Sequence, residues 1–342
     1  MEGPHPRHKG ECAVIRVAVA GAGYMGTVHA TRWAALPGVR VVAVFSRSQQ
    51  HAETLARQVQ AQPYTNLDEF LTVPSDVVDV CLPTNRHPAI ALRALESDRH
   101  VVCEKPIALT VEEAEQMVRL ATARRRLLLV AHVLRFWPEY VELRRLVRSG
   151  AIGAPTSCLA QRLQEGPGST PDAAETRAIN GGPVIDLQIH DDDFLHWMFG
   201  APHRVLTRGS ERHFFTTLDF GQTVAVAEAA CDLPKGHPFL SAVRVRGEEG
   251  LIEYTFTSGG ARPDNAPSEG AGLTLWLPDQ GPRTVSIPPV DPYTEQIKHF
   301  SECLRTEQPS ALVSPGSAVD ALRVALAARR SLDSSQPVSL VE

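Results

Sequence analysis

Three groups of residues in this 342-residue sequence have the types and spacing needed for hydride-transfer chemistry. The segment Gly21-Ala22-Gly23-Tyr24-Met25-Gly26 has the glycine spacing of a dinucleotide-binding loop. Lys105 follows about 80 residues later, and Asp186 and His190 stand four positions apart farther along the chain. A nucleotide loop, one amine and a carboxylate–imidazole pair together indicate an oxidoreductase that uses a nicotinamide cofactor.

Each glycine of the loop has its own expected role. Gly21 allows a tight turn out of a strand, Gly23 lets the backbone approach a pyrophosphate, and Gly26 allows a helix to pack closely on the strand. Because a helix-like segment follows the loop, its N-terminus is expected to face the phosphates. The intervening residues Ala22, Tyr24 and Met25 are expected to contact the cofactor as well.

The end of the second predicted strand bears on the choice between NAD and NADP. An NAD site usually has a carboxylate there for the ribose, but this chain has Ser46 and Arg47. A hydroxyl and a guanidinium suit a 2′-phosphate, which would repel an acidic side chain. The sequence therefore favours NADP. NAD stays the alternative if Arg47 is a solvated residue at the start of a helix.

Lys105 comes directly after the predicted strand His100–Cys103 and Glu104. It is therefore expected at the carboxyl edge of the sheet, where ligands of open α/β sheets bind. Pro106 would fix the local backbone, with a cis bond as one possibility. These features predict a catalytic lysine.

Asp186 and His190 are expected on one face of a helix over 186–198, after Gly181-Gly182. A free lysine is a poor base at neutral pH, whereas histidine titrates near pH 6.5, so either Lys105 or His190 could carry the proton. Asp186 would orient His190 or hold a substrate hydroxyl. The acidic run Asp191–Asp193 is expected to be a solvated face. No metal is expected, with a site built from Asp186, His190 and this run as a minor alternative.

Apolar runs that alternate with helical patterns predict a parallel sheet over the first 150 residues. The predicted strands are 14–20, 39–45, 77–82, 100–103 and 127–131, and the predicted helices are 24–36, 48–60, 87–97 and 111–124. Thr110 and Glu113 form a capping box for the last of these helices.

After residue 150 the pattern changes to short strands in succession, which argues for an antiparallel sheet. These strands are predicted at 154–163, 204–208, 214–220, 223–231, 240–246, 251–256, 273–277 and 283–287. Helices are predicted at 293–307 and 315–332, where they would pack back on the nucleotide domain. The segments 164–180 and 257–272 are expected to be loops, the second of them mobile.

Composition excludes several classes of protein. A net charge of −5 gives no reason to expect nucleic acid as a partner, and no apolar run is long enough to span a bilayer. The six cysteines are scattered without metal-ligand spacing, which favours reduced thiols in a cytoplasmic protein. The first 12 residues are polar and are expected to form a disordered tail.

Taken together, these residues resemble the Gfo/Idh/MocA oxidoreductases, a family that includes glucose–fructose oxidoreductase and inositol dehydrogenase. The likeness extends over roughly residues 14–340. The segments that carry it are GAGYMGTVH, DVVDVCLPTNRH, CEKP, AHVLRFWPEY, GGPVIDLQIHDDDFLHW and DPYTEQIKHF. Lys105, Asp186 and His190 match the catalytic set of the family.

The resemblance implies a Rossmann domain followed by an α+β domain with an open-faced, mostly antiparallel sheet. It also implies homodimers or homotetramers assembled through that sheet. The domains would span 13–135 and 136–313, with 314–342 packing back on the chain. Further cofactor contacts are implied at Leu82, Pro83, Thr84, Asn85, His87, Glu104 and Lys105.

On the substrate side, the resemblance implies contacts from His132, Arg135, Asp186 and His190. His132 stands where many members carry an aromatic or small residue, Gln188 replaces a frequent glycine, and loop 164–180 matches no subfamily. The favoured function is a dehydrogenase of a sugar, cyclitol or related polyol. A reductase of a less polar carbonyl or dihydrodiol and a non-catalytic nucleotide-binding regulator are the alternatives.

Overall fold

A computed structural model describes residues 14–166, 173–258 and 272–340. The predicted tail over 1–12 lies outside these ranges, as do most of the predicted loop over 257–272 and part of the loop over 164–180. No helix in the described ranges has the length and apolar character needed to cross a membrane.

The first half of the chain forms a parallel sheet of six strands. Their order is β3-β2-β1-β4-β5-β6, which places the first strand of the chain near the centre. The strands are β1 Ile15–Ala20, β2 Val39–Phe45, β3 Gln62–Tyr64, β4 Val77–Val80, β5 His100–Cys103 and β6 Leu128–Val130. Five of the six were predicted. The edge strand β3 was not, because its three residues lack an apolar run.

Helices connect these strands. They are α1 Tyr24–Ala35, α2 Gln49–Val59, α3 Leu67–Thr72, α4 His87–Glu96 and α5 Val111–Arg124, and α6 Pro138–Arg148 follows the sheet. The capping box before α5 is confirmed, since the Thr110 hydroxyl accepts from the Glu113 amide. Helices α3 and α6 were not predicted, although α6 begins with the proline typical of a first helical turn.

The second half forms a sheet of nine strands in the order β14-β13-β12-β11-β7-β10-β9-β8-β15. All neighbouring pairs are antiparallel except β7 and β10. The strands are β7 Pro155–Glu165, β8 Arg204–Gly209, β9 His213–Asp219, β10 Val224–Leu233, β11 Phe239–Gly247, β12 Leu251–Ser258, β13 Gly272–Leu277, β14 Gly281–Val285 and β15 Val338–Ser339. Eight of them confirm the predicted antiparallel half.

The segment between β7 and β8 differs from the prediction in two places. Part of the expected loop over 164–180 is a helix, α7 Ala173–Asn180. The expected helix over 186–198 is instead two helices, α8 Pro183–Asp186 and α9 Ile189–Phe199. The amides of Leu187 and Gln188 both bond to the Pro183 carbonyl, which ends the first helix before the second begins.

The last two helices, α10 Pro292–Thr306 and α11 Pro315–Ser334, pack back on the first sheet. Ile297 and Phe300 of α10 join the cluster around Val17 and Val19 on one face of that sheet. Ala318 and Leu322 of α11 join the cluster on the other face. The domain boundaries at 135 and 313 stay predictions.

Candidate active site

The predicted catalytic residues meet in one cavity of about 580 Å³. Lys105 enters from the carboxyl end of β5, and Asp186 and His190 enter from α8 and α9. Tyr24 and Met25 of the glycine loop line the same cavity, and Arg162 of β7 forms part of its wall. The fold therefore brings the amine, the imidazole and the nucleotide loop to one place, as sequence reasoning expected.

Lys105 is held by Asp186. Its Nζ donates to the Asp186 carbonyl at 2.9 Å and to Asp186 Oδ1 at 3.0 Å. The Lys105 side chain is only 15% exposed, and its amide donates to the Glu104 carboxylate at 3.0 Å. The Lys105–Pro106 peptide is cis. These bonds fix both ends of the lysine side chain and leave its ammonium at the cavity wall.

Asp186 and His190 have different surroundings. Asp186 Oδ2 accepts from Asn180 Nδ2 at 3.0 Å, which links α7 to the lysine–aspartate pair. Burial lowers the pKa of His190 well below its usual value, and the nearby charges of Lys105 and Arg162 lower it further. His190 is therefore a neutral imidazole at neutral pH. Asn180 was not predicted as a site residue, because nothing in the polar segment 164–180 sets it apart from its neighbours.

The glycine loop has the shape required by a dinucleotide. A Cβ at Gly21 would lie 2.2 Å from the Cys81 carbonyl oxygen, and one at Gly26 would lie 2.0 Å from the Gly21 carbonyl oxygen. A Cβ at Gly23, by contrast, would meet nothing within 4 Å. Gly23 is the N-cap of α1 and no side chain caps this end of the helix, whose first N–H groups have no acceptor within the helix. A pyrophosphate fits there, as sequence reasoning expected of these glycines.

The other predicted cofactor residues lie along the carboxyl edge of the first sheet, but outside the lining of the cavity. Ser46 and Arg47 follow β2, and Arg47 is exposed. Leu82, Pro83, Thr84 and Asn85 follow β4. His87 is buried, with Nδ1 2.8 Å from the Pro106 carbonyl and Nε2 2.7 Å from the Leu82 carbonyl. His87 therefore joins the two loops that flank Lys105.

A buried cluster that sequence reasoning did not identify lies behind Glu104. His29 Nδ1 is 2.9 Å from Asp79 Oδ2, and His29 Nε2 is 3.1 Å from Glu104 Oε1. Trp33 Nε1 also donates to Asp79 at 2.7 Å. Burial by itself would lower the pKa of His29, but the neighbouring Asp79 and Cys81 together outweigh it and raise that pKa well above its usual value. His29 is therefore an imidazolium between two carboxylates, one of which supports the Lys105 backbone.

The raised pKa of His29 predicts a pH-dependent stability. Because the folded pKa lies above the unfolded value of about 6.5, the stabilisation is complete below pH 6.5 and is lost as pH rises through the folded pKa. We expect His29→Gln to cost roughly 3 kcal/mol at pH 6, since it leaves buried carboxylates without their cation. That cost should shrink by up to about 1.4 kcal/mol per pH unit above pH 6.5.

Denaturant unfolding between pH 6 and pH 9 measures this difference. His51→Gln, at an exposed histidine of α2, is the matched control and should follow the wild type. Unfolding free energies of wild type and His29→Gln that stay parallel across the range would contradict the assignment of a charged His29.

The predicted substrate residues His132 and Arg135 are not among those that line the cavity. Arg135 is buried and makes a bidentate pair with Asp193 at 2.9 and 2.7 Å, and it also donates to the Leu312 carbonyl. His132 Nδ1 lies 3.6 Å from Asp193 Oδ2. The Arg135 guanidinium is thus engaged by a carboxylate and a backbone carbonyl outside the cavity lining, and the substrate contacts of Arg135 and His132 stay predictions.

The acidic run Asp191–Asp193 is buried, so the expected solvated face is wrong. Asp191 pairs with Arg162 through bonds of 2.8 and 2.8 Å. Asp193 pairs with Arg135, and Gln188 Nε2 donates to Asp192 at 2.9 Å. Burial raises the pKa of Asp192 well above its usual value. The run therefore joins α9 to its surroundings through Arg162, Arg135 and Gln188.

Comparison with known proteins agrees with this geometry. A model described as "Oxidoreductase family, NAD-binding Rossmann fold" matches residues 15–132, and the GFO/IDH/MocA C-terminal domain matches residues 140–253. The chain is 27% identical to scyllo-inositol 2-dehydrogenase (NAD(+)) of Bacillus subtilis (strain 168), over 95% of this chain and 96% of that protein. It is 33% identical to D-glucoside 3-dehydrogenase of Escherichia coli (strain K12), over 55% of each.

A solved structure with the same fold is GenD2 from gentamicin A biosynthesis in complex with NAD, with a TM-score of 0.82 at 24% identity. The alignment covers 99% of this chain and 100% of that one. The first model covers all six strands of the parallel sheet and includes Lys105, and the second covers the start of the antiparallel sheet and includes Asp186 and His190. The chain therefore belongs to the Gfo/Idh/MocA family of oxidoreductases, with an NAD-binding Rossmann domain.

Proposed function

We propose that this protein is an NAD(P)-dependent dehydrogenase that acts on a CH–OH group of a sugar, cyclitol or related polyol. The observation that carries the proposal is the convergence of Lys105, Asp186 and His190 on one cavity with the glycine-loop residues Tyr24 and Met25. The relatives named for inositol and glucoside dehydrogenation support the substrate class.

In this mechanism Lys105 moves the proton. An ammonium has three N–H donors, and the two described bonds of Lys105, both to Asp186, leave one for a substrate oxygen. In reduction that N–H passes its proton to the forming alkoxide, and in oxidation the amine takes the proton from the hydroxyl. When bound, the nicotinamide ring supplies the hydride donor or acceptor. Asp186 keeps the Lys105 amine in place during both oxidation and reduction.

His190 orients the substrate in the proposed mechanism. Its lowered pKa keeps it neutral, and its Nδ1 is buried without a hydrogen-bond partner among the described residues. A neutral imidazole has one donor and one acceptor nitrogen, so it can either donate a hydrogen bond to a hydroxyl or accept one from it. His190 and Lys105 would then hold neighbouring oxygens of a polyol.

Nicotinamide absorbance with a panel of sugars, cyclitols, simple carbonyls and dihydrodiols tests the reaction class. We expect turnover with one or more polyols in the presence of NAD or NADP. Turnover confined to simple carbonyls or dihydrodiols would establish the less polar reductase instead. Cofactor binding without turnover across the panel would support the non-catalytic regulator.

We further propose that NADP is the preferred cofactor. The support is the exposed Arg47 next to Ser46 at the end of β2, where no carboxylate stands to bind a ribose hydroxyl. Arg47 has no ion-pair partner in the part of the chain that the structure describes, so its guanidinium is available to a 2′-phosphate.

Replacing Arg47 by Asp tests this preference. We expect the Kd for NADPH to rise about tenfold to a hundredfold, because a charged hydrogen bond of roughly 1.5–3 kcal/mol is lost. The Kd for NADH should change less than about threefold. Fluorescence titration of both cofactors measures the ratio. Arg57→Asp makes the same charge change on the exposed side of α2 and should leave the ratio unaltered. A wild type that binds NADH more tightly than NADPH would contradict the preference.

We also propose that copies of the chain associate through the open face of the nine-stranded sheet. Phe215 and Trp276 are exposed there, 45% and 40% respectively, on the side opposite the core. Aromatic side chains of this kind are enriched in subunit interfaces.

The five described cysteines are unpaired, which supports a reducing compartment such as the cytoplasm.

A further inference from the structure

Among the described residues, three cationic side chains line the cavity, and two of them are already paired. Lys105 is bound to Asp186, and Arg162 makes its bidentate pair with Asp191. The third is Arg212. It lies in the turn between β8 and β9, where the Ser210 hydroxyl accepts from the Arg212 amide at 3.2 Å. Its position on the wall is therefore fixed by a tight turn.

The guanidinium of Arg212 lacks a carboxylate among the described residues. Its Nη2 donates to the Cys231 carbonyl at 3.4 Å, close to the limit for such a bond. Its Nε is buried and has no hydrogen-bond partner in the described ranges. A buried N–H without an acceptor is costly, and such groups in folded proteins call for an explanation.

Two carboxylates that line the same cavity, Glu211 and Glu165, bond to groups other than Arg212. Glu211, its neighbour in the chain, pairs with Arg177 of α7 and with Arg329 of α11. Glu165 of β7 accepts from the Gly236 amide at 2.9 Å. The charge of Arg212 therefore faces the cavity without a described partner of opposite sign.

We propose that Arg212 binds an anionic group of the substrate, a carboxylate or a phosphate. The preferred substrates would then be acidic sugars or acidic polyols rather than neutral ones. A guanidinium offers two parallel N–H donors that match the oxygens of either anion. The cavity of about 580 Å³ has room for such a molecule beside the nicotinamide. This inference rests on the proposed polyol dehydrogenase, since it assigns a binding residue to the part of the same substrate that lies away from Lys105.

Binding to the NADPH-loaded full-length protein tests the proposal without requiring turnover. The probes are matched pairs, D-gluconate against D-glucitol for the carboxylate and D-glucose 6-phosphate against D-glucose for the phosphate. Nicotinamide fluorescence and thermal shift report binding. We expect at least one acid to bind about tenfold or more tightly than its neutral partner. Whichever pair shows this ratio identifies the anion.

Arg212→Gln should bring that ratio to within about twofold while NADPH binding stays at the wild-type level. Arg330→Gln removes the same charge from an exposed position of α11 and should leave the ratio unchanged. Acids and neutral partners that bind equally, or a ratio that survives in Arg212→Gln, would overturn the assignment of Arg212. Failure of the proposed dehydrogenase has a different signature, namely no nicotinamide reduction with any polyol, acidic or neutral.

Discussion

Lys105→Met is expected to lower kcat by about 10³-fold, within the range typical of removing a group that transfers a proton. Methionine keeps much of the length and apolar stem of lysine but has no N–H to donate. The bonds to the Asp186 carbonyl and to Asp186 Oδ1 would both be lost, while Asn180 would still hold Oδ2. Because Asp186 is 38% exposed, the free energy of unfolding should change by less than about 1 kcal/mol.

Single-turnover kinetics with the best substrate of the panel measure this effect, and fluorescence titration measures cofactor affinity beside it. The affinity should stay within about threefold of the wild type, since no contact of the glycine loop is altered. Lys298→Met, at an exposed position of α10, is the matched control. Near-normal turnover in Lys105→Met would remove the lysine from the mechanism and leave His190 as the proton carrier.

Gly26→Ala is expected to lower the stability of the protein, whereas Gly23→Ala is expected to lower its affinity for the cofactor. A Cβ at Gly26 would lie 2.0 Å from a backbone oxygen, so α1 would have to move away from β1. We expect about 3 kcal/mol of lost stability, as for other overpacked positions. A Cβ at Gly23 has open space around it in the protein, so the free energy of unfolding should change by less than about 1 kcal/mol. That Cβ would occupy the room needed by a pyrophosphate, and cofactor Kd should rise about a hundredfold.

Denaturant unfolding and cofactor titration of both variants separate the two effects. Gly316→Ala is the control, because a Cβ there would approach nothing closer than 3.9 Å at the start of α11. Wild-type cofactor affinity in Gly23→Ala would show that the phosphates bind elsewhere. A fully stable Gly26→Ala would show that the contact between α1 and the glycine turn tolerates more movement than this geometry allows.

Periodic features of the chain were predictable from sequence. The buried strands of the first sheet, such as β2 and β5, are continuous apolar runs, and the alternating strands of the second sheet show the period of two. The roles of Lys105 and the glycine loop could also be predicted from sequence, because they depend on positions within one strand–loop–helix unit. The convergence of Lys105 with Asp186 and His190 came from the family resemblance and is consistent with the observed cavity.

Features that depend on a distant partner were not predictable. Asp191 and Asp193 read as a solvated run, yet both are buried because Arg162 and Arg135 reach them from 29 and 58 residues away. The buried role of His29 could not be predicted, since its two carboxylates come from β4 and from the loop after β5. The helix α7 was hidden in a polar segment, where local propensity is weak and contacts with the rest of the protein decide the conformation.

The packing of α10 and α11 on the first sheet has a consequence for biosynthesis. The apolar faces of that sheet are completed by residues such as Phe300 and Leu322, which are translated long after β6 ends at Val130. At roughly 5–20 residues per second, a ribosome needs on the order of 10 to 40 seconds to add the missing stretch. During that interval α1, α2, α4 and α5 cover part of the two apolar faces of the nascent sheet, but the residues of α10 and α11 are still missing. We therefore expect the nucleotide-binding half to reach its full stability only after α10 and α11 have been synthesised.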